Sequence, residues 1–108
     1  MTEEQVLLTQ AAFAAEYTIA KFGVTDGAFL ANGRNLGPSW NPLHNDGDAL
    51  KLGVKLGMFS SVESFKEFQA FYSDEIRKDN RPTKATRYAI VRLAACIGFR
   101  MLKEREDA

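Results

Sequence analysis

The groups able to do chemistry gather in one short stretch of the 108 residues, Trp40-Asn41-Pro42-Leu43-His44-Asn45-Asp46-Gly47-Asp48. His44, the single histidine, could shuttle a proton, with Asp46 nearby to orient a water. Asn45, Asp46 and Asp48 are clustered oxygen donors of the kind that hard cations take. Trp40, stiffened between Pro38 and Pro42, offers a ring on which a base could stack. A helix starting after this loop would present backbone N–H groups to an anion, and Arg34 or Arg87 could add phosphate contacts. Trp40, Asn41, His44, Asn45, Asp46 and Arg87 therefore form a candidate ligand-binding set for a nucleotide-like molecule.

Each of these features has a simpler reading beside the chemical one. Asn45 or Asp46 as a helix cap, with Asp48 as a first-turn acid, accounts for the acidic cluster without a metal. Trp40 as a core plug anchoring the loop is the stronger of its two readings, and His44 reads first as a solvated loop residue. No phosphate-binding Gly-rich loop with Lys-Ser/Thr, no His-Glu-x-x-His and no nucleophile elbow is present. Cys96 is the single cysteine, so an intrachain disulfide is excluded and a structural zinc site lacks ligands. No cofactor is expected, and a small phosphodiesterase using His44 and Asp46 ranks last among the functions considered. The aromatic group Phe65, Phe68, Phe71 and Tyr72 reads as core first. If exposed, Phe65, Phe68 and Tyr72 would form a partner-binding or dimer surface.

The elements that must position these residues follow from periodicity and caps. Thr2-Glu3-Glu4-Gln5 has the spacing of a capping box, and Leu8, Ala12, Ala15, Ile19 and Phe22 extend a first helix to a stop at Gly23. Residues 28–31 and 35–40, joined by the turn signal Asn32-Gly33, read as a short hairpin whose second strand Pro38 confines to an edge. Asn45 or Asp46 opens a second helix with Ala49, Leu50, Leu52, Val54 and Leu56 as its apolar face, ended by Gly57. Gly53 inside that helix implies that something packs close against it.

Residues 58–80 have two readings. The spacing of Val62, Phe65, Phe68, Tyr72 and Ile76 is helical, with Ser60-Ser61-Val62-Glu63 resembling a capping box, whereas the aromatic and β-branched content suits a second hairpin. Pro82 then suits the first position of a long amphipathic helix whose apolar face carries Ile90, Leu93, Ala94, Ile97 and Met101. The expectation is one α+β domain over residues 1–108, a small antiparallel sheet flanked by helices.

Lys and Arg total 14 against 14 Asp and Glu, so the basic excess typical of duplex nucleic-acid binders is missing. A net charge of zero and a small core instead favour association, with a homodimer as one form. No signal-peptide pattern and no membrane-length apolar run occur, which points to the cytoplasm.

Two blocks resemble the phage ABA sandwich domain, a group of small phage and prophage proteins. One is Trp40-Asn41-Pro42-Leu43 followed by Asp46-Gly47-Asp48-Ala49-Leu50 and Val54-Lys55-Leu56-Gly57. The other is Ala85-Thr86-Arg87, Ala89-Ile90-Val91-Arg92, Ala94-Ala95 and Ile97-Gly98. The resemblance implies helices on either side of a small antiparallel sheet and strands in residues 58–80. For the latter stretch it tips the balance toward the hairpin. It also implies a host-cytoplasmic accessory protein without catalysis. Such a protein would act in host takeover or counter-defence by sequestering a nucleotide signal or blocking a host defence protein.

Overall fold

In the computed structural model, residues 1–23, 27–32 and 35–107 are described, the side chains at 32, 35, 36 and 107 excepted. The element order is α1 (Glu3–Ala14), β1 (Ile19–Phe22), β2 (Ala28–Asn32), β3 (Asn35–Trp40), α2 (Asp46–Lys55), α3 (Val62–Lys78) and α4 (Pro82–Asp107). This is an α+β fold with a three-stranded antiparallel sheet, ordered β1-β2-β3, flanked by helices. Arg34 and the Gly33 half of the turn signal lie outside the described residues.

The capping box forms as expected. Gln5 N–H donates to Thr2 Oγ1 at 3.1 Å, and Thr2 N–H donates to Gln5 Oε1 at 3.1 Å. The helix does not run on to Gly23, however. It stops at Ala14, and Glu16 turns into the left-handed region at φ 63°. Glu16 N–H then donates to Phe13 O at 3.2 Å and Tyr17 N–H to Ala12 O at 2.9 Å, the paired closure of a Schellman stop. That stop usually takes Gly or Asn, so a Glu there leaves no sign in the sequence, and the strain of the left-handed residue is held by the contacts around it. Tyr17, one residue on, sets its ring edge-on to Trp40 with centroids 5.6 Å apart. Ile19 and Phe22, expected on a helix, lie instead in β1.

The hairpin over residues 28–40 is present as β2 and β3, to which β1 adds a third strand. Ala28 pairs with Trp40 across the ladder, and both are buried, so a methyl leaves room for the indole beside it.

Residues 58–80 are helical. The hairpin implied by the family resemblance is thereby corrected: the local period prevails, and Ser61 caps α3 by accepting from Ser64 N–H at 3.1 Å. The cap sits one residue later than the Ser60–Glu63 pattern suggests.

Helix α4 is the spine, packed on α1, α2 and α3. It is therefore not the one-faced amphipathic helix expected from its sequence. Val91 and Ala95 are buried as well as Ile90, Leu93 and Ala94, so apolar positions surround the middle of the helix. Small residues make this possible. A Cβ on Gly98 would stand 1.9 Å from Gln10 O, so only glycine allows α1 and α4 to approach this closely. Where α4 meets α3, Arg92 Nη1 donates to Asp74 Oδ2 at 2.7 Å and to Glu75 Oε1 at 2.8 Å. The Arg92 hydrogen bond, with help from Lys78, holds the Asp74 carboxyl below its usual range. Among the described residues no helix is long and apolar enough to cross a membrane.

Candidate functional site

The segment 40–48 folds into a loop whose polar groups bind one another. Asn45 caps α2, its Oδ1 accepting from Asp48 N–H at 2.8 Å, and Asp48 Oδ2 accepts from Asn41 N–H at 2.9 Å. Arg87 reaches across from α4. Its Nε donates to Leu43 O at 2.8 Å and its Nη1 to Asp46 Oδ1 at 2.7 Å. Pro42 and Leu43 are buried beneath. The loop is thus clipped to the spine by one guanidinium.

This arrangement brings together Asn41, Asn45, Asp46 and Arg87 from the candidate ligand-binding set, but it commits them to structure. Trp40 is 5 % exposed and belongs to the core, so the expected stacking of a base on its ring is corrected: no face of the indole is open. The expected phosphate contact from Arg87 meets the same difficulty, because that group already holds a carbonyl and a carboxylate. The start of α2 carries Asp46 and Asp48 in its first turn, which repel an anion and occupy the positive end of the helix dipole. Alternation along the strand leaves Ser39 and Asn41 on the face opposite Trp40, where they line a cavity of about 440 Å³ with Lys21 and Phe29.

His44 points away from this network. Its Nε2 lies 3.5 Å from Glu4 Oε1, which also accepts from the Tyr88 hydroxyl at 3.1 Å. Burial, then the hydrogen bond to the Glu4 carboxylate, pushes the Tyr88 phenol up to about 12. The trio ties loop, α1 and α4 together. His44 is thus turned to Glu4 while Asp46 holds Arg87, so the two engage different partners. Among the described residues no group of three His, Cys, Asp or Glu is placed to hold a metal ion.

The aromatic group divides. Phe68 is the buried hub of a stack: it lies 5.7 Å from Phe65, 6.1 Å from Tyr72 and 5.5 Å from Phe59, centroid to centroid. Phe68 is therefore corrected from partner-binding residue to core, and Tyr72 is half-buried against that core. Phe65 remains on the surface, and it has company that sequence reasoning missed. Leu50 (58 % exposed), Val54 (63 %), Phe59 (41 %), Val62 (68 %) and Phe65 (40 %) stand out around the α2–α3 corner.

Phe59 joins the two helices. It shares a cavity with Leu50, packs its ring over Gly53, and lies 6.3 Å from Phe65. The close neighbour inferred for Gly53 is this ring, and Gly57 ends α2 in the left-handed region at φ 71°. A signal for the corner did exist. Ala49, Leu52 and Leu56 already fill the inward stripe of α2, so Leu50 and Val54, one turn apart, had to form a second stripe facing elsewhere.

Comparison with protein-family models, curated proteins and solved structures yields no match to this chain.

Proposed function

We propose that this protein is non-enzymatic and acts by binding a protein target through the α2–α3 corner. The Trp40–Gly57 resemblance supports placing it as a phage or prophage accessory protein that blocks a host defence protein. The observation behind the binding mode is the set Leu50, Val54, Phe59, Val62 and Phe65, each at least 40 % exposed, with Phe59 sharing a cavity with Leu50 and lying 6.3 Å from Phe65. Scattered single apolar side chains are ordinary on a surface, whereas contiguous groups of them mark interaction sites. Sequestering a nucleotide signal is the weaker reading, because Trp40 is buried and Arg87 is engaged. Catalysis is weaker still, since His44 and Asp46 serve different contacts.

Affinity capture from host lysate tests the reading. The expected result is one stoichiometric host protein, retained by wild type and by His44→Ala but lost with Val54→Glu and Val62→Glu. Capture unaffected by both corner substitutions, or thermal stabilisation by cyclic oligonucleotides or ADP-ribose derivatives, would overturn it. Phe68→Ala is unsuitable as a probe, because its side chain is core and its loss would unfold the corner.

A further inference from the structure

We propose that the cavity at the shared C-terminal end of α1 and α4 binds a zwitterionic amino acid with an aromatic side chain. None of the residues lining it belongs to the α2–α3 corner, so the site stands apart from the binding of a protein target.

Contacts along the pair show that the two helices run parallel. Tyr88 meets Glu4, Gly98 meets Gln10, and Arg105 meets Phe13. Their C-terminal ends therefore come together, and each is the negative end of a helix dipole. Beside the turn that leads from α1 into β1 opens a cavity of about 600 Å³, within the range of small-molecule sites. Phe13, Tyr17 and Met101, all half-buried, form its apolar wall, while Glu16, Glu104 and Arg105 line it as exposed residues.

Glu16 is the residue that local stability does not explain. It takes the left-handed position at the stop of α1, where glycine would sit without strain. It also puts a carboxylate just past the negative end of α1, whose last turn has no basic residue. Among the described residues no ion pair offsets either cost. A position that breaks local rules without local compensation is where function is expected.

The charges around the cavity define the ligand. Among the described residues Glu16, Glu104 and Arg105 form no ion pair with one another or with any other group. Arg105 lies over the Phe13 ring at 5.8 Å, a position that leaves its N–H donors open to a carboxylate. The two carboxylates and the two negative helix ends suit an ammonium. A ligand carrying both charges satisfies both sets, and the wall of two rings and a thioether takes an aromatic side chain. Lys55 lies over the Tyr17 ring at 4.4 Å but does not line the cavity.

Calorimetric titration of the full chain with L-phenylalanine and L-tryptophan tests the proposal. Binding is expected, with phenethylamine and hydrocinnamate, each lacking one charge, about tenfold weaker. Glycine, which lacks the ring, is expected not to bind. Glu16→Gly is expected to raise the melting temperature and to weaken amino-acid binding about tenfold. Arg105→Met is expected to weaken binding of L-phenylalanine but not of phenethylamine. No binding of either aromatic amino acid at millimolar concentration overturns the proposal, as does equally tight binding of a single-charge analogue. Unchanged binding in Glu16→Gly, or a lower melting temperature there, overturns it as well.

Discussion

The 40–48 loop and the α2–α3 corner look alike in one respect, since each sets aromatic or apolar side chains beside charges. They differ in where those groups are spent. In the loop, Trp40 goes into the core, Asn45 and Asp48 close on the backbone, and Arg87 binds both Leu43 O and Asp46. In the corner, Leu50, Val54, Val62 and Phe65 reach solvent, while Lys51 and Glu63 stay unengaged among the described residues. The distinctive sequence is the structural one, and the ordinary sequence makes the surface. Rare residue types at fixed spacing reflect a demanding loop geometry as readily as a ligand.

Substitutions separate the two regions, and the largest effect belongs to the loop. Trp40→Ala should destabilise the fold by about 3–5 kcal/mol in urea titration, the cost of emptying a buried aromatic site. A loss below about 1 kcal/mol, the range of surface positions, would return Trp40 to the ligand-binding reading. Arg87→Met keeps the stem but leaves Leu43 O without its donor. The expected cost is about 1–3 kcal/mol, with most of it from the carbonyl, because Asp46 is largely exposed.

Gly53→Ala sharpens the contrast, since its Cβ would stand 2.8 Å from the Phe59 ring. The ring is partly exposed and can swing outward, while alanine gains about 1 kcal/mol of helix propensity over glycine. Stability should therefore change little while capture of the protein target falls. At the corner itself, Val62→Ser should move stability by no more than about 0.5 kcal/mol while capture of the protein target drops. A large stability loss there would mean that Val62 supports the fold.

The smallest effect is a titration. Tyr88, held by Glu4 beside His44, should ionise near pH 12 in a 295 nm absorbance titration, against an ordinary value of 10.0. Its protonated form is the one the fold favours. Its contribution to stability is thus complete below pH 10 and lost as pH rises through 12. Glu4→Gln should move that ionisation back toward 10 without touching the corner.

Much of this architecture can be read from local chemistry. The Thr2 box, the Asn45 cap, Gly57 as the end of α2 and Pro82 at the head of α4 each act within a few residues, so spacing alone reveals them. The helix over residues 62–78 is equally local, and its 3.6-residue period outweighed the strand-like composition. The end of α1 was hidden because a glutamate took the left-handed position, and the third strand was hidden with it.

The sequence by itself determined where the helices start and the hairpin over residues 28–40, because those depend on neighbours along the chain. Tertiary structure alone decided that Trp40 turns inward onto Tyr17 and that Arg87, far along the chain, clips the loop. It also decided that Leu50 and Val54 form an outward stripe with Phe59. Burial depends on which helix faces which. One such contact is at Gly98, where α1 comes close to α4 and helps make the last helix a spine.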